Sequence, residues 1–202
     1  LECIILKLEN VTVFCGSHSG SSAVYEKSAF ALGAHLAKEN IGIVYGGGSI
    51  GLMGALADGA LSEGGSVTGV IPQFLLDREM GHPKLTHLEV VTSMHKRKER
   101  MEALGDAFIT LPGGAGTLEE FFEIFTWGQI GLHKKPIGLL NVNHFYDEIL
   151  QLFNKLIDES FLHQAYVNQL FTGADGAEIL DQFKFFEPVD VRTYADINRR
   201  QS

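Results

Sequence analysis

Short runs of apolar and β-branched residues alternate with helical patterns from one end of the chain to the other. Residues 11–15, 41–45, 66–71, 88–92, 107–111 and 137–141 read as strands, and 22–39, 51–63, 93–104, 117–130 and 145–158 read as helices between them. Uniformly apolar strands, each followed by a helix, are buried on both faces. The expected fold is therefore α/β: a Rossmann-like, doubly wound parallel sheet with helices on both faces. The tail from Gly173 carries one further short helix and then a polar end expected to fray. With 202 residues, 45% hydrophobic content and no Pro- or Ser-rich linker or fixed-period repeat, residues 10–202 are read as a single domain. Residues 1–9 are read as an N-terminal extension, either an appended remnant or a short extra strand.

Several functional classes recede on composition. Every apolar stretch is strand-sized, well short of the ~18 residues needed to span a membrane. The opening residues show neither a basic leader nor a small-residue cleavage site, so no secretory signal is expected. Cys3 and Cys15 cannot build a disulfide framework and Cys15 closes an apolar strand, so reduced thiols and a cytoplasmic location are expected. A formal charge of −9 argues against nucleic acid as a partner, which leaves a small ligand. The eight histidines include no HExxH spacing and there is no CxxC, so no metal site is expected.

In a doubly wound sheet, ligands collect beyond the carboxyl ends of the strands, where strand order reverses. Three loops expected on that rim are glycine-rich or small: Gly16-Ser17, the run from Gly46 and Gly47 to Gly51, and Gly113-Gly114-Ala115-Gly116. Glycines there let the backbone approach an anion, and the helix opening near Thr117 adds unpaired N–H groups and a positive dipole end. Neither GxGxxG with a following acid nor GxxxxGKS/T is present, so a mononucleotide or sugar phosphate fits better than a dinucleotide or ATP hydrolysis. Glu120 stands one helical turn beyond the glycines.

A second group lies on the helix at 93–104. Met94, Arg97, Lys98, Met101 and Leu104 share one helical stripe. Cations on the margin of such a stripe ordinarily extend their heads to water, but two adjacent cations flanked by Met94 and Met101 are more than margin placement predicts, and full burial of Arg97 and Lys98 would require anionic partners. Arg97 is the better candidate for bidentate contact with a phosphate or carboxylate. Ser93 reads as an N-cap. Glu119 and Glu123 are accounted for by the helix dipole, worth about 0.3–1 kcal/mol each. For Glu120, spacing alone leaves the dipole and a chemical use equally open. Phe121, Phe122, Phe125 and Trp127 read as core or subunit interface, with base stacking as the rarer alternative.

The segments Met94-His95-Lys96-Arg97-Lys98 and Pro112-Gly113-Gly114-Ala115-Gly116-Thr117-Leu118-Glu119-Glu120 resemble the paired MHxRK and PGGxGTxxE signatures of the LONELY GUY (LOG) family, cytokinin riboside 5′-monophosphate phosphoribohydrolases. The similarity runs from about residue 11 to residue 170 and takes in the loops at Gly16 and Gly46 and the segment from Trp127 to Pro136. The resemblance implies hydrolysis of the N-glycosidic bond of an N6-substituted adenosine 5′-monophosphate, releasing the free base and ribose 5-phosphate without a cofactor. It makes Arg97 and Glu120 catalytic. Lys98, Gly114, Ala115, Gly116, Thr117, Leu118, Glu119 and Thr126 fall on positions that contact the nucleotide, and Glu79 on an acidic residue of a loop closing over it. Gly16, Ser17, Gly46, Gly47, Met94 and Gly113 complete the expected substrate site. The family is typically homodimeric, with the site near the subunit interface. Its members are often labelled lysine decarboxylases, but no pyridoxal-phosphate lysine motif is present here.

In the combined expectation the glycine turn grips the 5′-phosphate, Glu120 stabilises the positive charge growing on the ribose and aligns water, and Arg97 orients the carboxylate or the ribose hydroxyls. No residue is an evident general acid for the departing base. Two alternatives stand beside this: a nonenzymatic nucleotide or molybdenum-cofactor carrier, since such carriers share the GGGxxGLM loop at 46–53, and a general AMP nucleosidase of salvage.

Overall fold

The computed structural model describes residues 7–78 and 81–189. Cys3, Glu79, most of the N-terminal extension and the polar end from 190 lie outside the described residues.

Seven strands form one parallel sheet: β1 (Asn10–Phe14), β2 (Gly42–Tyr45), β3 (Val67–Pro72), β4 (His87–Val91), β5 (Ala107–Thr110), β6 (Ile137–Leu140) and β7 (Leu170–Gly173). Their spatial order is β4-β3-β2-β1-β5-β6-β7. The chain thus builds outward from β1 in one direction, returns to the other side of β1 with β5, and builds outward again. The order reverses between β1 and β5, where Val11 to Phe14 pair with Ala107 to Thr110.

The helices are α1 (Ala23–Lys38), α2 (Gly51–Ser62), α3 (Gln73–Leu76), α4 (Met94–Leu104), α5 (Ala115–Gln129), α6 (Asp147–Asp158), α7 (Gln164–Val167) and α8 (Gly176–Phe183), with a 3₁₀ turn at Val142–His144. Strand side chains alternate between faces, and two apolar layers follow from that period. Val11, Val13, Ile43, Tyr45 and Ile109 pack under α1, α2 and α8 through Leu32, Leu56 and Ile179. Phe14, Val44, Val70 and Phe108 face the other way, against Met101 of α4, Phe121 and Phe125 of α5 and Phe153 of α6. This is the doubly wound α/β fold expected from the alternation. Phe121 and Phe125 belong to the core, in a ring cluster with Phe153.

The two edge strands depart from uniform apolarity. β4 leaves His87, Leu88 and Val90 exposed, which matches a strand paired on one side only, with β3. β7, Leu-Phe-Thr-Gly, pairs with β6 alone and is mostly half-buried. It was absent from the sequence-based elements because four mixed residues carry no period. Helix starts follow local chemistry: Ser93 caps α4 by accepting from the Lys96 N–H at 3.2 Å, as expected, and Ser22 and Asp175 cap α1 and α8 likewise. Among the described residues no helix is long and apolar enough to cross a membrane.

One buried histidine ties α5 to the segment that leads into β6. The Nε2 of His133 lies 2.8 Å from the Ile124 carbonyl, and its Nδ1 accepts from the Lys135 N–H at 3.2 Å. A carbonyl only accepts and an amide only donates, so the ring is the neutral Nε2–H tautomer. Burial pushes its pKa below the ordinary 6.5. The unfolded chain therefore takes up a proton at this position as pH falls below about 6.5, while the folded chain resists it. The expected result is a stability loss as pH falls below about 6.5 in thermal melts, and a shallower loss in His133→Gln, whose side-chain amide retains a donor.

Candidate active site

A cavity of about 610 Å³ opens above the strand ends at the reversal of sheet order. Its floor is made where two loops nearly touch. The Gly16 N–H donates to the Pro112 carbonyl at 3.1 Å, and a Cβ on Gly16 would stand 3.2 Å from the Gly113 Cα. A Cβ on Gly113 would fall 2.2 Å from Thr117 Oγ1 and 2.9 Å from the Gly16 nitrogen. A Cβ on Gly113 would clash outright, and one on Gly16 would require the loops to shift by a few tenths of an ångström. Gly114 and Gly116 differ, because a Cβ at either would meet nothing within 4 Å and both line the cavity. Their missing side chains leave room above the backbone where α5 begins, with Gly114 as N-cap and its first-turn amides unpaired within the helix. That is space for an anion.

Arg97 and Glu120 face each other across this floor. Arg97 projects from α4, its Nε donating to the Val70 carbonyl at 3.2 Å, and its guanidinium passes so close to Gly46 that a Cβ there would lie 2.1 Å from Nη2. Glu120 projects from the second turn of α5. Their closest atoms, Nη1 and Oε1, are 3.6 Å apart, and the two residues are only 9% and 8% exposed. An ion pair at that separation is longer than the ~2.7–2.9 Å of a charge-assisted hydrogen bond, so both groups keep bonding capacity for a third. Burial raises the Glu120 pKa above the ordinary 4.5, and the nearby guanidinium pulls it partly back. The carboxyl is thereby poised nearer neutrality than a surface glutamate.

Lys98 turns to the other side of the α4–α5 contact. Its Nζ donates to Glu119 at 2.6 Å and Glu123 at 3.0 Å. Burial works against the ammonium, but these two bonds outweigh it and hold its pKa above the ordinary lysine value. Full burial of this cation does require anionic partners, and Glu119 and Glu123 supply them beyond any dipole role.

Of the residues named from sequence, Gly16, Ser17, Gly46, Met94, Arg97, Gly113, Gly114, Gly116, Thr117, Glu119 and Glu120 line one cavity. Gly47, Lys98, Ala115, Leu118 and Thr126 do not line it, and Glu79 lies outside the described residues. The cavity also takes in residues the sequence reading passed over, among them Cys15, Tyr25, Leu52, Leu75 and Phe145. Their signal is weak, because they look like core. Cys15 is buried as a free thiol that burial holds well above its ordinary pKa, so it remains protonated. Among the described residues no cluster of three or more metal-ligating side chains occurs.

Fold and cavity together define a Rossmann-like α/β protein with an anion-accepting turn beside a buried arginine–glutamate couple at the topological switch point. A family profile described as "Possible lysine decarboxylase" matches residues 53–183. Two Arabidopsis thaliana proteins named cytokinin riboside 5′-monophosphate phosphoribohydrolase are 41% and 40% identical over 182 residues, covering 90% of this chain and 84% and 85% of theirs. The molybdenum cofactor carrier protein of Chlamydomonas reinhardtii superposes with a TM-score of 0.69 at 20% identity, over 89% of this chain and 98% of that one, a likeness of fold. The chain belongs to the LOG family.

The two kinds of glycine separate experimentally. Gly46→Ala should displace the Arg97 guanidinium and lower turnover by about a hundredfold, the scale of an ångström-sized misplacement. Gly116→Ala should stabilise the fold by up to about 1 kcal/mol in denaturant melts, since alanine suits a helix better, while weakening binding of inorganic phosphate in calorimetry.

Proposed function

We propose that this chain hydrolyses the N-glycosidic bond of N6-substituted adenosine 5′-monophosphates, giving the free base and ribose 5-phosphate. The observation that carries this is the desolvated Arg97–Glu120 pair set beside the glycine turn at the start of α5. The names of its relatives supply the substrate class. A carrier needs an anion grip but no carboxylate held against a cation next to it, and the likeness to the cofactor carrier extends to fold alone.

In the proposed mechanism the 5′-phosphate docks on the amides of the Gly113 to Thr117 turn, and its binding energy holds the ribose in reacting geometry. As the C1′–N9 bond stretches, its electron pair leaves with the base and positive charge gathers on the ribose ring. The Glu120 carboxylate stabilises that charge and draws a proton from the water that adds to C1′; the departing base takes up a proton from solvent and Glu120 releases its own, which restores the carboxylate. Arg97 fixes the carboxylate from 3.6 Å and offers its remaining N–H groups to the ribose hydroxyls. Fixed charges in a site shielded from water act more strongly than exposed ones. The proposal includes a homodimer, which the family resemblance implies and to which exposed apolar side chains such as Ile130 and Leu132 lend support, and a cytoplasmic location, which suits the free thiol of Cys15.

Purified protein incubated with AMP and with isopentenyl-AMP should release ribose 5-phosphate. Binding without release from either would favour the carrier, and equal rates on both would favour a general AMP nucleosidase. Since the active form of Glu120 is the carboxylate, kcat/KM should rise with pH through a limb placed above the usual glutamate range. Glu120→Gln should lower the rate by about 10²–10³ and flatten that limb, and Arg97→Ala should shift it to higher pH by removing the neighbouring positive charge.

A further inference from the structure

The anion turn after β5 is braced from beneath by a residue that does not itself line the cavity. Leu111, the first residue beyond β5, donates its N–H to the Phe14 carbonyl at 2.9 Å, and its own carbonyl is buried past the end of the sheet ladder. That carbonyl accepts a 2.7 Å hydrogen bond from the Tyr146 hydroxyl. The next carbonyl, of Pro112, accepts from Gly16. Two successive carbonyls entering the turn are therefore pinned, one by a side chain 35 positions along the chain and one by the loop after β1. In a trans peptide the N–H points away from the C=O, so anchoring the Pro112 carbonyl also sets the direction of the Gly113 N–H.

Tyr146 is held with unusual care. Its ring is fully buried, and burial pushes the phenol pKa up, so the hydroxyl stays protonated as the donor this bond needs. Its backbone N–H donates to Asn141 Oδ1 at 2.7 Å, and Asn141 Nδ2 donates to Asp147 at 2.7 Å. Between Asn141 and Tyr146 the chain passes through two consecutive residues with left-handed backbone, Asn143 (φ 51°) and His144 (φ 59°), neither of them glycine. Such conformations persist only where the surroundings over-determine them. This turn sends Phe145 into the cavity wall, edge-on to Tyr25 at 6.0 Å between ring centroids, and the next side chain down to the Leu111 carbonyl.

We propose that Tyr146 is a positioning residue for the anion turn: its hydroxyl locks the Leu111–Pro112 peptide, the unit immediately before the one that carries the Gly113 N–H, and so presets how the chain enters the turn from which Gly113 and Gly114 present their amides to a phosphate. This rests on the proposed phosphate site but not on the bond that is cleaved. Tyr146→Phe removes one oxygen from a buried site and leaves the Leu111 carbonyl without its partner, which frees the turn to reorient.

Titration calorimetry with inorganic phosphate separates a positioning role from a merely structural one, because misfolded protein lowers the apparent stoichiometry and not the Kd of the remainder. For Tyr146→Phe the expected result is a Kd raised about five- to tenfold at unchanged stoichiometry, the scale of one well-placed hydrogen bond, with KM for AMP rising in parallel. A Kd equal to that of the unaltered protein overturns the inference and leaves the hydrolase proposal standing. A raised Kd in a protein that cleaves neither AMP nor isopentenyl-AMP upholds the brace and sinks the hydrolase instead. Should Tyr146→Phe fail to fold, Asn141→Ala, which frees the Tyr146 N–H and leaves the hydroxyl in place, decides by the same measurement: a raised Kd supports the brace and an unchanged one overturns it.

Discussion

The contact between the loops after β1 and β5 is the constraint on which the site depends. Sheet order reverses at this pair of strands, so the helices that follow them cover opposite faces and their loops part to leave a crevice, while the first residues beyond the strands stay in contact. The Gly16 to Pro112 hydrogen bond holds them together, the clearance at Gly113 admits no side chain, and that at Gly16 is tight. Were either loop lifted by a Cβ, the start of α5 would move with it, and with it Glu120, five residues into the helix. The anion turn and the carboxylate are thus one rigid unit whose position is set by strand pairing and not by loop flexibility.

Charge on α4 and α5 is arranged in two parallel pairs with different tasks. Lys98 meets Glu119 and Glu123 at hydrogen-bonding distance, satisfying a cation only 8% exposed. Arg97 and Glu120, each the chain neighbour of a residue in that first pair, are held at 3.6 Å in the cavity. Closing that gap would satisfy both groups and lower the cost of burying them, yet the Val70 carbonyl draws the Arg97 Nε toward β3 and restrains the guanidinium. The raised pKa of Glu120 expresses the same imbalance, because desolvation exceeds what the distant guanidinium returns. A tight pair would be inert toward a substrate. Stability is carried by the closed pair and chemistry is left to the open one.

Much of this was legible in the residues. Period and apolarity located six of the seven strands and the helices that cover them, and the glycine spacing located the three loops that meet at the rim. Burial of Arg97 was suggested by its place on the Met94–Met101 stripe. Lys98 shares that stripe, but which cation faces the cavity depends on where α5 places its carboxylates, a relation between segments more than twenty residues apart. Leu52 and Leu75 escaped notice, and Cys15 was read only as the end of an apolar strand, because a cavity wall and a core use the same apolar residues. β7 escaped because an edge strand of four residues needs only one partner.

Tyr146 shows why a support can stay hidden while the group it supports is plain. The turn at 113–116 has a composition that announces itself, since glycine there answers a local need for space. Its brace answers a need three dimensions away: one carbonyl stranded at the end of β5. Any sequence that puts a hydroxyl in that spot would serve, so no spacing rule ties Tyr146 to Leu111. What the chain does record is the cost of bringing it there, two left-handed non-glycine residues and an asparagine whose side chain bonds on both sides. Strain without a local beneficiary points to a distant one, and here the chain of hydrogen bonds leads from that turn to the floor of the cavity.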